Sequence, residues 1–124
     1  MKVFLIILLN TWMLTASPMA VAADTATSEM AAIIIELNHY PTAKDKQLLT
    51  HIINNVHATA GEKVIAAALM RMQHRVADED ADKLRRLAAD DSVAEAERVL
   101  AEISLSIAHH PTQTDIKRLK ALIE

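Results

Sequence analysis

The sequence predicts an all-α protein: three tandem 35-residue helical hairpins forming a short α-solenoid or right-angled helical array, preceded by a cleaved signal peptide. Three observations predict this. The chain opens on a basic residue and an apolar run, it is almost devoid of turn-forming residues, and it resembles itself at a fixed spacing.

The opening comes first in the chain. Lys2 precedes the apolar run Val3 to Leu9, no charge follows until Asp24, and the small-x-small triplet Ala20-Val21-Ala22 stands near the end of that stretch. A short positive start, an apolar centre and a small-residue cleavage site make a signal peptide. Residues 1–22 are therefore expected to be removed, leaving 23–124 as one helical repeat domain in the periplasm. Membrane association is expected only if the signal stays uncleaved, since the uncharged stretch approaches the about 20 residues that span a bilayer. The chain has no Cys, so neither a disulfide framework nor a lipid-modified cysteine is available.

The whole chain carries 13 basic and 16 acidic residues. Loss of the signal removes Lys2 and no acid, so the remainder is still more acidic, which speaks against nucleic acid as a partner. Phe4 and Trp12 fall in the signal, leaving Tyr40 as the only aromatic of the rest. The core must be built from Ile, Leu, Val, Ala and Met. One Gly and three Pro are too few for a many-stranded β fold.

The internal repeat is read from residues recurring at one interval: His39, His74 and His109; Asp45, Asp80 and Asp115; Leu49, Leu84 and Leu119; Ala31, Ala66 and Ala101. These place the copies at about 27–58, 59–93 and 94–124. The first helix of each has apolar residues at helical spacing, such as Met30, Ile33, Ile34 and Leu37, and a second apolar line through Ala31 and Ile35. Two apolar faces mean a sandwiched helix. The second helix has one stripe, as in Leu84, Leu87 and Ala88, and a wet face. Thr42 and Thr112, each three residues before an aspartate, predict N-caps, as do Thr59 with Glu62 and Ser92 with Glu95; in the middle copy Asp78 is the expected cap. Pro41 and Pro111 stand just beyond the histidines, which are expected to end the first helices.

A two-helix unit of this length resembles α-hairpin solenoids in general, and tetratricopeptide repeats by length alone. The aromatic, glycine and late proline positions of that family are missing, so the resemblance implies architecture and no function.

Chemistry is sparse. There is no HExxH, G-x-S-x-G, phosphate loop or cysteine nucleophile, so no enzyme and no cofactor are expected. The repeated histidines attract attention as metal ligands. Equivalent residues on adjacent stacked hairpins, however, are expected to stand about 8–10 Å apart, whereas one zinc ion sits about 2 Å from each ligand. The expectation is therefore no metal site but a structural clasp: His39, His74 and His109 at helix C-termini, each facing the aspartate six residues on, Asp45, Asp80 and Asp115. Met70 and Met72 align with aliphatic residues of the other copies and read as core.

Three surfaces are candidates for partner binding, the first being the basic polar sides of the second helices of copies two and three, with Lys83, Arg85, Arg86, Lys117, Arg118 and Lys120. Tyr40, Arg75 and His110 each follow a clasp histidine and offer a row of large planar side chains. The first helix is apolar on nearly every side, so Ile34 and Ile35 are expected to be covered from outside, by a partner or in a weak homodimer. The leading expectation is thus a non-enzymatic periplasmic protein–protein interaction module whose partner is a protein of the cell envelope. The alternative is a histidine-based metal-binding or pH-responsive envelope protein.

Overall fold

The structure is a computed structural model that describes residues 25–124; the expected signal segment 1–22 lies outside the described residues. The described chain is all-helical: α1 (Thr25–Ile35), α2 (Ala43–Asn54), α3 (Ala60–Met70), α4 (Asp78–Ala89), α5 (Glu95–Ser106) and α6 (Gln113–Ile123). Local chemistry sets several of these starts. Thr42, Thr59 and Thr112 each close a reciprocal capping box with Asp45, Glu62 and Asp115, an arrangement that satisfies two orphan backbone donors at once. The other two expected caps are not used. α4 begins after Ala77 and α5 after Ala94, neither with a side-chain cap. Asp78 enters the first turn instead, and Ser92 bonds to Asp90. Those bonds hold the Asp90 carboxyl below its usual range.

Packing departs from an open stack. α2 packs chiefly on α3 and α4 chiefly on α5, so each second helix leans on the next unit, and α6 packs nearly as extensively on α1. The inner helices α1, α3 and α5 also touch one another. The array therefore closes on itself around a pseudo-threefold axis, where an open solenoid would leave two free end faces. The apolar excess of the first helix is explained by this closure. Met30 and Ile34 are 0% exposed and Ile33 and Leu37 nearly so, covered within the chain. Ile34 thus belongs to the protein's own core and is not the outward residue expected from the sequence, while Ile35 packs half-buried against that core. Burying such a side chain stabilises by about 1.5–3 kcal/mol, which gives the closing interface the same apolar basis as the other two.

The recurring residues hold equivalent places. Ala31, Ala66 and Ala101 are fully buried, as are Leu49, Leu84 and Leu119. Alanine keeps neighbouring helices close, and leucine fills the groove between an outer helix and the inner trio. At the N-terminal ends of the inner helices the equivalent residues are Thr27, Glu62 and Glu97, all buried. There the Thr59 hydroxyl donates to Glu97 and accepts from the Glu62 N–H at 3.0 Å, while the Thr59 N–H donates to the Glu62 carboxylate at 3.0 Å. Gly61 makes room for this, because a Cβ at that position would lie 3.1 Å from Glu97 Oε2 and 3.0 Å from Leu87 Cδ1.

Candidate metal centre

The opposite end of the inner trio carries the histidines. They do not terminate helices. α1, α3 and α5 stop within four residues before them, and the chain then makes a tight turn with the histidine at its apex. φ is 71° at His39, 64° at His74 and 73° at His109, and no other described non-glycine residue has a positive φ. In each turn the N–H two positions on returns to the carbonyl before the histidine: Tyr40 to Asn38 at 2.9 Å, Arg75 to Gln73 at 2.7 Å, His110 to Ala108 at 3.0 Å. This is a γ-turn with positive φ, rare and strained for an L-residue. Holding a side chain there costs about 1–3 kcal/mol. Glycine would make the same turn freely, yet all three strained positions are histidine.

The three apices are joined by a closed cycle of backbone bonds. His74 N–H donates to the His39 carbonyl at 2.6 Å, His109 N–H to the His74 carbonyl at 2.7 Å, and His39 N–H to the His109 carbonyl at 2.7 Å. This cycle turns the side chains onto the axis. Their centroids are 4.9–5.1 Å apart and their planes cross at 71–77°, a three-bladed propeller. The Nδ1 atoms form a triangle with edges of 3.0, 3.1 and 3.2 Å. His39 is half-buried and the other two are exposed.

The sequence expectation that these histidines stand too far apart for one ion is therefore overturned. Interaxial spacing separates residues along a straight stack, but in a closed ring the side chains point inward to one spot. The expected clasp with aspartate is likewise replaced. Asp45 and Asp115 accept from the Thr42 and Thr112 N–H groups at 2.9 and 3.0 Å. Asp80, which has no threonine to cap, receives the Arg71 guanidinium through Nη2 and, at 3.0 Å, Nε. Arg71 is held above its ordinary range, first by that hydrogen bond to Asp80.

Three Nδ1 atoms this close cannot satisfy one another. Each carries either a proton or a lone pair, so one proton serves at most part of the triangle and otherwise lone pairs face lone pairs. A cation on the axis satisfies all three. At Zn–N distances of about 2.0–2.1 Å, a tetrahedral ion sets its ligand nitrogens about 3.3–3.4 Å apart, and octahedral ligands on one face about 2.9–3.0 Å. The observed edges fall between these limits. Nδ1 of His39, His74 and His109 would supply three ligands to such an ion, and a site with three protein ligands keeps a position for another ligand. Coordination through Nδ1 leaves each proton on Nε2. The C-terminal ends of three inner helices lie close by, and helix C-termini favour positive charge. The N-terminal ends of α2, α4 and α6 begin four residues beyond each histidine, and their opposing field is met by Asp45, Asp80 and Asp115.

Compared with known protein families, curated proteins and solved structures, the chain matches none. The functional argument accordingly rests on the triad. Among the described residues it is the one group of three or more His, Asp or Glu side chains whose donor atoms lie close enough to share an ion. Tyr40, Arg75 and His110 do not form a straight row. Each follows a triad histidine, so the ring closure distributes them around the axis. Tyr40 is 61% exposed and shares a cavity with His74, while His110 Nδ1 donates to the Pro111 carbonyl at 3.2 Å. Lys46 and Gln73, which line the same cavity, were not singled out from the sequence. Their columns, Lys46-Ala81-Ile116 and Asn38-Gln73-Ala108, show no recurrence that would have marked them.

Proposed function

We propose that this is an exported metal-binding protein that holds one late first-row transition-metal ion through Nδ1 of His39, His74 and His109. The observation that carries the reading is the Nδ1 triangle of 3.0–3.2 Å, formed at three residues of positive φ. Imidazole suits zinc, copper, nickel and iron, and a neutral nitrogen site follows the order Cu²⁺ above Ni²⁺ and Zn²⁺. Structural zinc sites are closed by four protein ligands, whereas three histidines with an open position belong to centres that exchange or present a ligand. The exposed imidazoles of His74 and His109 suit a centre that loads and unloads from solution. With the signal peptide expected at 1–22, the compartment would be the cell envelope, where a binder or carrier of metal, rather than an enzyme, matches the sparse chemistry of the sequence.

The interaction-module reading, for which Ile34 is interior and the Tyr40, Arg75 and His110 set surrounds the triad, has no comparable convergence of side chains behind it. The test is calorimetric titration of Zn²⁺, Ni²⁺ and Cu²⁺ into the purified, chelator-stripped protein. A single site per chain with Kd below about 1 μM, lost in the His39→Ala/His74→Ala/His109→Ala variant, is the expected result. Absence of stoichiometric binding by all three ions, with helical content intact, refutes the proposal.

A further inference from the structure

The triad is threefold, but its surroundings are not, and the difference concentrates on one side. Where the first unit meets the second, an open cavity of about 400 Å³ has His74 as part of its wall, together with Tyr40, Lys46, Met70, Arg71 and Gln73. That volume falls in the range of small-ligand sites, about 300–1,000 Å³. No Asp or Glu lines it. Lys46 enters none of the ion pairs found among the described residues, so its ammonium is uncompensated. Arg71 is already paired with Asp80 and Glu79. Going round the axis, the position of Lys46 is taken by Ala81 and Ile116, that of Arg71 by Ser106 and Glu36, and that of Gln73 by Ala108 and Asn38. The free lysine therefore stands in one sector only, beside a phenol and an amide that can each donate a hydrogen bond.

We infer that this cavity binds a small oxygen-donor anion, a carboxylate or a phosphate, which ligates the triad-bound metal at its open position and is held by Lys46, with Tyr40 and Gln73 as neutral donors. The inference rests on the proposed metal site. His74 lines the cavity together with Lys46, and its Nδ1 is one corner of the triangle, so the metal and the ammonium would both border the space the anion occupies. A dication and a lysine both favour the anion, and a carboxylate or phosphate matches the hard donors that fill positions which imidazole leaves open.

The experiment uses the protein loaded with one equivalent of Co²⁺, whose visible spectrum reports coordination number and ligand type. Cobalt binding is measured first; failure there overturns the metal reading and this inference with it. Acetate, citrate, phosphate and chloride are then titrated separately. The expected result is a saturable spectral change with at least one of the oxygen anions and none with chloride at equal ionic strength, the responding anion identifying the class. Lys46→Gln should weaken that anion by about tenfold or more, the loss of one charge-assisted hydrogen bond, with cobalt affinity unchanged. Lys117→Gln, at a lysine outside the cavity, should leave both constants alone. If the spectrum ignores the oxygen anions up to about 100 mM, a level at which even millimolar sites fill, or if Lys46→Gln and the unsubstituted protein respond alike, the inference is wrong while the metal site stands.

Discussion

The two ends of the inner helix trio solve different problems. At the N-terminal end the three equivalent residues are Thr27, Glu62 and Glu97, and each copy reaches its own settlement with its neighbours. At the other end the three equivalents are all histidine, all in a conformation that L-residues avoid. Packing accepts any combination that fills space and satisfies polar atoms. A point that must be reached from three directions by the same lone pair accepts only one. The strain follows the same division, since the N-terminal end has no positive φ and the histidine end has three.

That contrast can be broken in three ways, taken from the largest effect to the smallest. His74→Ala removes one of three ligands and should lower metal affinity by at least about a thousandfold, about 4 kcal/mol, with the circular dichroism spectrum unchanged. Competition with a chelating dye measures it, and a loss under tenfold would show that the triad is not the ligand set. Thr59→Ala acts at the other end. It removes the α3 cap and the hydrogen bond to the buried Glu97 carboxylate, and should cost about 2 kcal/mol of stability in urea unfolding with metal affinity unaltered. His109→Gly has the opposite sign. Relief of about 1–3 kcal/mol of backbone strain exceeds glycine's extra unfolded entropy of about 0.5–1 kcal/mol, so the metal-free protein should gain about 1 kcal/mol while metal binding is lost. Destabilisation by His109→Gly on the scale of Thr59→Ala would instead make the imidazole ring a packing device.

Much of the fold was legible because helices leave periodic traces. The 35-residue recurrence, the doubly apolar first helices and three of the capping boxes are written in single residues such as Thr42, Thr59 and Asp115. Closure was not. Whether three hairpins stack in a line or in a ring depends on the rotation between successive units, which arises from the summed shapes of many side chains and leaves no period. The sequence did hold a clue in the apolar excess of Met30, Ile33 and Ile34. An end unit as apolar as a middle one has neighbours on both sides, and with three units the second neighbour of the first can be the third. The γ-turns were hidden for a related reason. Positive φ is ordinarily announced by glycine or asparagine, and a histidine at that position looks like any helix-terminal residue until its neighbours in space are known. Once the ring is granted, identity at positions 39, 74 and 109 becomes a statement about convergence.

A ring has no first member. Because α6 seats on α1 as α2 does on α3 and α4 on α5, the seam between α6 and α1 is one of three comparable joints, the one that no loop among the described residues bridges. α1 begins and α6 ends on the side of the molecule away from the histidines, as the helix directions require. Linking the end of α6 to the start of α1 and opening the chain in the α2–α3 or α4–α5 connection would therefore preserve every contact of the triad, and the copies would be read in the order two-three-one or three-one-two. The order of units along the polypeptide is thus incidental to the metal centre, which depends on cyclic adjacency alone.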